Sequence, residues 1–130
     1  MIVVDASAVL EVLLGTEAGR RAEDRLFDRD AALHAPHLLD VEVAQVLRRY
    51  AAAGEIKPGR AAEALDDLAG LPITRHKHVV LLPRIWQLRH NATAYDAAYL
   101  ALAEVLDATL ITRDAKLARA AGRTRIELLR

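Results

Sequence analysis

Ile2-Val3-Val4-Asp5-Ala6-Ser7-Ala8 decides the fold. Three apolar β-branched residues stand in a row, without the apolar–polar alternation of a half-exposed strand. Such a run predicts a strand covered on both faces, which is the habit of parallel sheets. The chain then turns helical: residues 8–14 are mostly apolar and closed by Gly15, with Ser7 placed as the N-cap. A second run of the same type, Thr109-Leu110-Ile111-Thr112, lies far down the chain. It too is followed by an acid, in Arg113-Asp114, and then by a short helical segment at 115–121.

Between these two strands the pattern alternates. Thr16 is positioned to cap a helix over 17–27, and Leu33-His34-Ala35 reads as a short strand ended by Pro36. Asp40 opens a helix over 41–53 that Gly54 stops, with an apolar stripe at Val43, Val46, Leu47, Tyr50 and Ala51. Pro58 suits the first turn of a helix that runs to 69. Pro72-Ile73-Thr74 reads as a short edge strand, and 79–88 as a helix with Pro83 in its first turn. Thr93-Ala94-Tyr95-Asp96 fits a capping box for a helix reaching 106, and Ile126–Leu128 reads as a last strand. Strands alternating with helices predict an α/β fold, a short parallel sheet flanked by helices.

The 130 residues suit a single domain spanning 1–130, large enough to build a core without staples. There are no cysteines, which excludes a disulfide scaffold, a cysteine-ligated zinc and a cysteine nucleophile. The apolar helical run at 97–103 is far too short to span a bilayer. Met1 leads straight into the first strand with no basic leader or signal segment, so a cytoplasmic protein with no membrane partner is expected.

Eighteen basic residues balance 18 acidic ones, which argues against a broad electrostatic face for nucleic acid. The charges are unevenly spread, however. Residues 68–95 hold no acid but carry Arg75, Lys77, Arg84, Arg89 and three histidines, and 113–130 carries six basic residues against Asp114 and Glu127. These two stretches are candidates for guiding a phosphate backbone, Arg having the planar fork that suits phosphate.

Four acids stand out. Asp5 and Asp114 follow strand ends, where open parallel sheets bind their ligands; if the two strands are neighbours, both acids face one crevice. Each also serves equally well as a helix N-cap. Asp96 begins a helix that is apolar on every side, Ala97-Ala98-Tyr99-Leu100-Ala101-Leu102-Ala103. The capping box explains an acid at that position but not its place beside a buried segment. Glu42 falls about 100° from the centre of its helix's apolar stripe, at the border, where an acid can also simply complement the helix dipole. Asp40 is explained as the cap.

Taken together the four carry more. Two like charges about 4 Å apart repel by roughly 4 kcal/mol at an effective dielectric of about 20, so converging carboxylates need a cation or protons between them. With no cysteine, a hard divalent ion such as Mg²⁺ on oxygen ligands is the natural choice. A histidine site would need His76 with His78, or His34 with His37, and both pairs read as surface or core histidines. A carboxylate-bound metal suits hydrolysis of phosphodiesters or phosphomonoesters, or phosphoryl transfer. Ser7 and Thr112 lie within one side chain's reach of Asp5 and Asp114 and could orient a carboxylate or a water. No glycine-rich phosphate loop is present, so a nucleotide-driven reaction has no support.

Four islands now stand in order: Ile2 to Ala8; Leu38-Leu39-Asp40-Val41-Glu42-Val43; Thr93 to Ala103; and Leu110-Ile111-Thr112-Arg113-Asp114-Ala115-Lys116-Leu117-Ala118. Together they resemble the PIN-domain ribonucleases, specifically the small VapC-type toxins of bacterial and archaeal toxin–antitoxin pairs. The likeness spans essentially the whole chain, and every acidic position of the family's pattern is filled. The resemblance implies a PIN-like three-layer sandwich. It implies Asp5 and Asp96 as principal metal ligands, Glu42 and Asp114 completing the acidic pocket, and Mg²⁺ or Mn²⁺ as the ion. It further implies endonucleolytic cleavage of RNA of the tRNA or rRNA class, a homodimer, and a cognate antitoxin that blocks the pocket with a basic side chain. The apolar surface of the first helices, with Leu13, Leu14 and Phe27, is a candidate docking groove, although each of the three also reads as core.

Rival readings remain open on the sequence alone. A receiver-like phosphoacceptor module is also an α/β domain of this size, and Thr112 and Lys116 match its auxiliary hydroxyl and lysine. Against it, Asp5 stands without an acidic neighbour and Lys116 falls beyond the strand end. A PIN-like binding domain without catalysis and a metal-dependent phosphatase are the other two.

Overall fold

Five strands, β1 (Ile2–Val4), β2 (Leu33–Pro36), β3 (Ile73–His76), β4 (Thr109–Thr112) and β5 (Ile126–Leu128), form one wholly parallel sheet in the order β3-β2-β1-β4-β5. The computed structural model describes residues 1–120 and 122–130. The expected α/β architecture is the observed one.

The strand order explains where a site can form. The chain lays down β1, steps twice in one direction to β3, then returns past β1 to place β4 and β5 on the other side. The direction of winding reverses between β1 and β4, so the crevice outside their carboxyl ends is where a parallel sheet binds its ligand. The register there is Ile2↔Thr109, Val3↔Leu110 and Val4↔Ile111. Both strands are covered on both faces, as the adjacent apolar residues Ile2-Val3-Val4 and Leu110-Ile111 require.

Helices α1 (Ala6–Leu13), α2 (Glu17–Leu26), α3 (Leu38–Ala52) and α4 (Pro58–Gly70) fill the first two crossovers. A 3₁₀ turn (Val79–Leu81), α5 (Leu82–Gln87) and α6 (Ala94–Leu106) fill the return, and α7 (Ala115–Arg119) joins β4 to β5. The first four helices pack on one another, while α6 packs on β1, β2, β4 and α5. Residues 97–103 of α6 are all buried, which is why that helix could afford no polar face. Two bidentate ion pairs tie the layers: Arg75 on β3 grips Asp40 on α3, and Arg84 on α5 grips Glu104 on α6.

Several boundaries differ from the sequence reading, each for a local reason. Ser7 is not the N-cap of α1. Asp5 is, with Ala8 N–H donating to its Oδ1 at 3.0 Å, and Ser7 lies inside the first turn. Asp40 does not open α3 either; the helix starts at Leu38, and Asp40 sits in its first turn, held by Arg75. Pro36 belongs to β2, beyond the last residue paired with β1, where its missing N–H costs nothing. The edge strand β3 runs on to His76, and 79–88 divides into the 3₁₀ turn and α5. Helix α7 ends at Arg119; the expected helix end at Ala121 lies outside the described residues. Thr16 and Thr93 cap α2 and α6 as expected.

One glycine is demanded by packing. A Cβ on Gly19 would stand 2.1 Å from Glu11 O and 2.4 Å from Glu11 C, backbone atoms of the neighbouring helix α1. Among the described residues no helix is long and apolar enough to cross a membrane.

Candidate active site

The crevice at the β1/β4 switch point is built on Asp5. The residue follows β1 directly, and the first turn of α1 needs a cap, so its side chain is only 5% exposed. Its carboxylate accepts three hydrogen bonds. Ala8 N–H (3.0 Å) and Ser7 Oγ (2.7 Å) donate to Oδ1, and Thr112 Oγ1 donates to Oδ2 at 2.5 Å. A carboxylate offers about four acceptor positions, so one on Oδ2 remains. Burial pushes the Asp5 pKa above the usual carboxylate range; the hydrogen bonds offset this in part, and the charge of Asp114 adds to the rise.

Ser7 and Thr112 work as a pair, their hydroxyl oxygens 3.2 Å apart. Arg113 N–H donates to Ser7 Oγ at 2.8 Å, and Asp114 N–H donates to Thr112 Oγ1 at 3.0 Å. The two hydroxyls therefore bind the end of β4 to the end of β1 through Asp5. Asp114 caps α7 through Oδ1, which accepts from Lys116 N–H at 2.9 Å; its Oδ2 has no protein partner among the described residues. Both strand-end acids are thus helix caps and crevice acids at once.

Glu42 and Asp96 arrive from the helices. Glu42 lies in the first two turns of α3 and is half-buried; Asp96 lies in the first turn of α6 and is half-buried too. Burial raises the pKa of Glu42, a hydrogen bond from Tyr99 partly offsets this, and the charges of Asp96 and Asp5 raise it further. Burial also raises Asp96, as does Asp114, while Lys116 and the Thr93 hydroxyl pull it down. The structure therefore brings all four acids into mutual repulsion: Asp5 feels Asp114, Glu42 feels Asp96 and Asp5, and Asp96 feels Asp114.

Two contributors escaped the sequence reading. Tyr99 is buried in α6, and its hydroxyl donates to Glu42 Oε1 at 2.5 Å, so burial and the acids around it hold its own pKa well above the phenol range. The signal was available: a buried Tyr hydroxyl needs a partner, and Tyr99 is the one polar side chain in 97–103. Lys116 is the second: the sequence reading considered it only for the receiver-like module, and the fold sets it beside Asp96 instead. Replacing Tyr99 by Phe would leave Glu42 half-buried without its donor. Activity is expected to fall about ten- to a hundred-fold, the usual effect of losing a partner that orients a ligand, and steady-state kinetics on Tyr99→Phe would check this.

The donor set fits a hard divalent cation. It consists of carboxylate oxygens, three of the acids are held up by burial and mutual repulsion, and Lys116 is the one cation acting on them in those balances. Among the described residues no three His, Asp or Glu side chains are already gathered as a ligand set. The histidines form a different pair from those considered, His34 Nδ1 lying 2.8 Å from His76 Nε2 across β2 and β3. Of the candidate docking residues, Leu13 is buried, Leu14 partly so, and Phe27 exposed.

The family model for the PIN domain matches residues 2–123. The chain belongs to the PIN-domain family. Within it, this PIN domain groups with the VapC ribonucleases of toxin–antitoxin systems. It is 46% identical over 121 residues to Ribonuclease VapC1 of Mycobacterium tuberculosis, covering 92% of this chain and 90% of that one. Ribonuclease VapC9 of the same species is 44% identical over 119 residues, covering 90% and 88%. Among solved structures, VapBC2 from Rickettsia felis, bound to a promoter DNA fragment, superposes with a TM-score of 0.72 at 12% identity, covering all of both chains. At that identity it speaks for the fold of this PIN domain alone. The receiver-like reading is set aside by the family.

Proposed function

We propose that this PIN domain, acting as one domain over 1–130, is an endoribonuclease toxin. In this reading it hydrolyses phosphodiester bonds in RNA of the tRNA or rRNA class with Mg²⁺ or Mn²⁺ on its acidic cluster. The observation that supports it is that Asp5, Glu42, Asp96 and Asp114 stand near enough to repel one another, with burial and that repulsion raising three of them, while Asp5 and Asp114 follow the adjacent strands β1 and β4.

Asp5 and Asp96 would hold the ion, with Glu42 and Asp114 completing the pocket. A bound ion there supplies acidified water and stabilises charge on the leaving oxygen. The chain's own groups supply order. Ser7 and Thr112 fix both oxygens of Asp5, and Tyr99 fixes Glu42. Glu42, whose hydroxyl partner Tyr99 holds it in place, is assigned to take the proton of the attacking water. A cognate antitoxin that neutralises the acids with a basic side chain, and a homodimer, complete the reading.

The test is direct. The purified chain is incubated with tRNA, rRNA and a phosphomonoester, each with Mg²⁺, with Mn²⁺ and with chelator. Cleavage of RNA that stops in chelator and returns with either ion is expected. Undiminished cutting in chelator, or turnover of the monoester alone, would overturn the reading.

A further inference from the structure

The two basic stretches of the sequence are thinned by the fold. Arg75 and Arg84 are spent on their bidentate pairs, Arg113 lies 3.6 Å from Glu11, and Arg125 pairs with Asp107. Arg89, Lys116 and Arg119 make no direct ion pair among the described residues, although Lys116 stands near enough to Asp96 to lower its pKa. Arg89 follows α5 and Lys116 and Arg119 lie on α7, and the three meet along one groove. A section of about 330 Å³ is lined by Arg89, Asn91, Asp96 and Lys116, among others, and shares Asn91 and Lys116 with a second section of about 370 Å³ that includes Arg119. The groove thus runs from unpaired cations to one acid of the crevice.

Beside Arg89 stands Trp86, the one tryptophan of the chain. It is 67% exposed, with the Arg89 guanidinium 4.6 Å from its ring centroid and Arg89 Nη1 donating to its carbonyl at 2.9 Å. An indole steadied by a cation and open to solvent is a stacking platform for a nucleobase, and unpaired cations beside it suit the flanking phosphates.

The geometry points to a track for single-stranded RNA: one base stacks on Trp86, and Arg89, Lys116 and Arg119 hold the phosphates that lead the backbone to Asp96. The track rests on the ribonuclease reading and adds a preference for unpaired segments, because a duplex keeps its base faces stacked inside. It makes Trp86 a positioning residue for substrate.

Because Trp86 is the one indole, its emission reports the site. The chain is titrated in chelator and low salt with an unstructured oligoribonucleotide of about ten nucleotides, within the usual range of single-strand sites. Saturable quenching is expected, much weaker with the same strand annealed to its complement. Arg89→Ala and Lys116→Ala are each expected to weaken binding by about five-fold or more. In the cutting assay Trp86→Ala should raise KM by about five-fold or more with kcat within about two-fold, and Trp86→Phe should restore most of the loss. Cutting by the wild type without quenching in the titration overturns the track. So does a Trp86→Ala chain that changes oligomeric state and loses kcat instead, which would make the indole, with exposed Val79, Val80 and Leu82, a protein contact. A wild type that cuts no RNA overturns the ribonuclease reading, while the titration, which needs no cutting, still decides the track.

Discussion

Asp96→Asn is expected to cut RNA at least about a thousand-fold more slowly, beyond the ten- to hundred-fold typical of losing a mere supporting partner, and yet to melt no lower than the wild type in chelator. The two halves rest on the same physics. Burial and Asp114 hold the Asp96 pKa above its ordinary value, so the ionised acid is less at ease in the folded chain than in the unfolded one. With the folded pKa raised, this group's stabilising contribution is complete below the unfolded pKa and is lost as pH climbs through the folded value. At neutral pH the metal-free fold bears that loss. An amide of the same shape removes it and forgoes the carboxylate's favourable place near a helix N-terminus, worth about 0.3–1 kcal/mol. The net is expected between no change and a gain of about 2 kcal/mol. The difference between variant and wild type should shrink as pH falls towards the ordinary carboxylate value of 3.8, where both carry a neutral side chain. Thermal melts in chelator across pH, alongside cleavage rates, check both halves. A variant that cuts at the wild-type rate would remove Asp96 from the site, and one that unfolds would make it structural.

The second large effect lies away from the site. Gly19→Ala within a helix would ordinarily gain about 0.5–1 kcal/mol, because alanine is the better helix former. Here the new methyl would meet Glu11 O at 2.1 Å and Val12 N at 2.8 Å. Those are backbone atoms inside α1, and they cannot swing aside as a flexible side chain would. The clash wins: α1 and α2 must part, and the loss is expected to reach about 3 kcal/mol or more, the upper end of overpacking penalties. That corresponds to a fall in Tm of roughly 10 °C or more for a chain of this size. Urea or thermal unfolding of the variant gives the answer, and an unchanged midpoint would mean that the two helices are not in the contact described.

The β1 and β4 runs were legible because burial on both faces leaves a mark, adjacent apolar residues without alternation, Ile2-Val3-Val4 in one and Leu110-Ile111 in the other. So were the capped helices at Thr16 and Thr93, whose side chains make the hydrogen bonds that the cap pattern calls for. The Ser7 cap was misread because Asp5, two residues earlier, competes for the same amide and wins with a charged acceptor. Asp40 was misread because its partner, Arg75, stands 35 residues away on a strand. Contacts of that kind leave no local trace. The acids of the site could be picked out singly, since each breaks an apolar pattern, but what steadies them could not. Tyr99 reaching Glu42 across 57 residues, and Thr112 reaching Asp5 across 107, exist only once the sheet has been ordered. The basic stretches were the reverse case, plain in the sequence and then divided by the fold into structural ion pairs and a small unpaired remainder.

That last span, from Asp5 to Thr112, has a bearing on how the protein is made. The acidic cluster takes members from positions 5, 42, 96 and 114, and the two at its base are joined only when the second strand of the chain's own middle pair has been added. A growing polypeptide that has not yet delivered its last strands to the sheet carries every early acid but no crevice. The crevice is closed only when β4 has joined β1, so the early segment of the chain cannot form it alone.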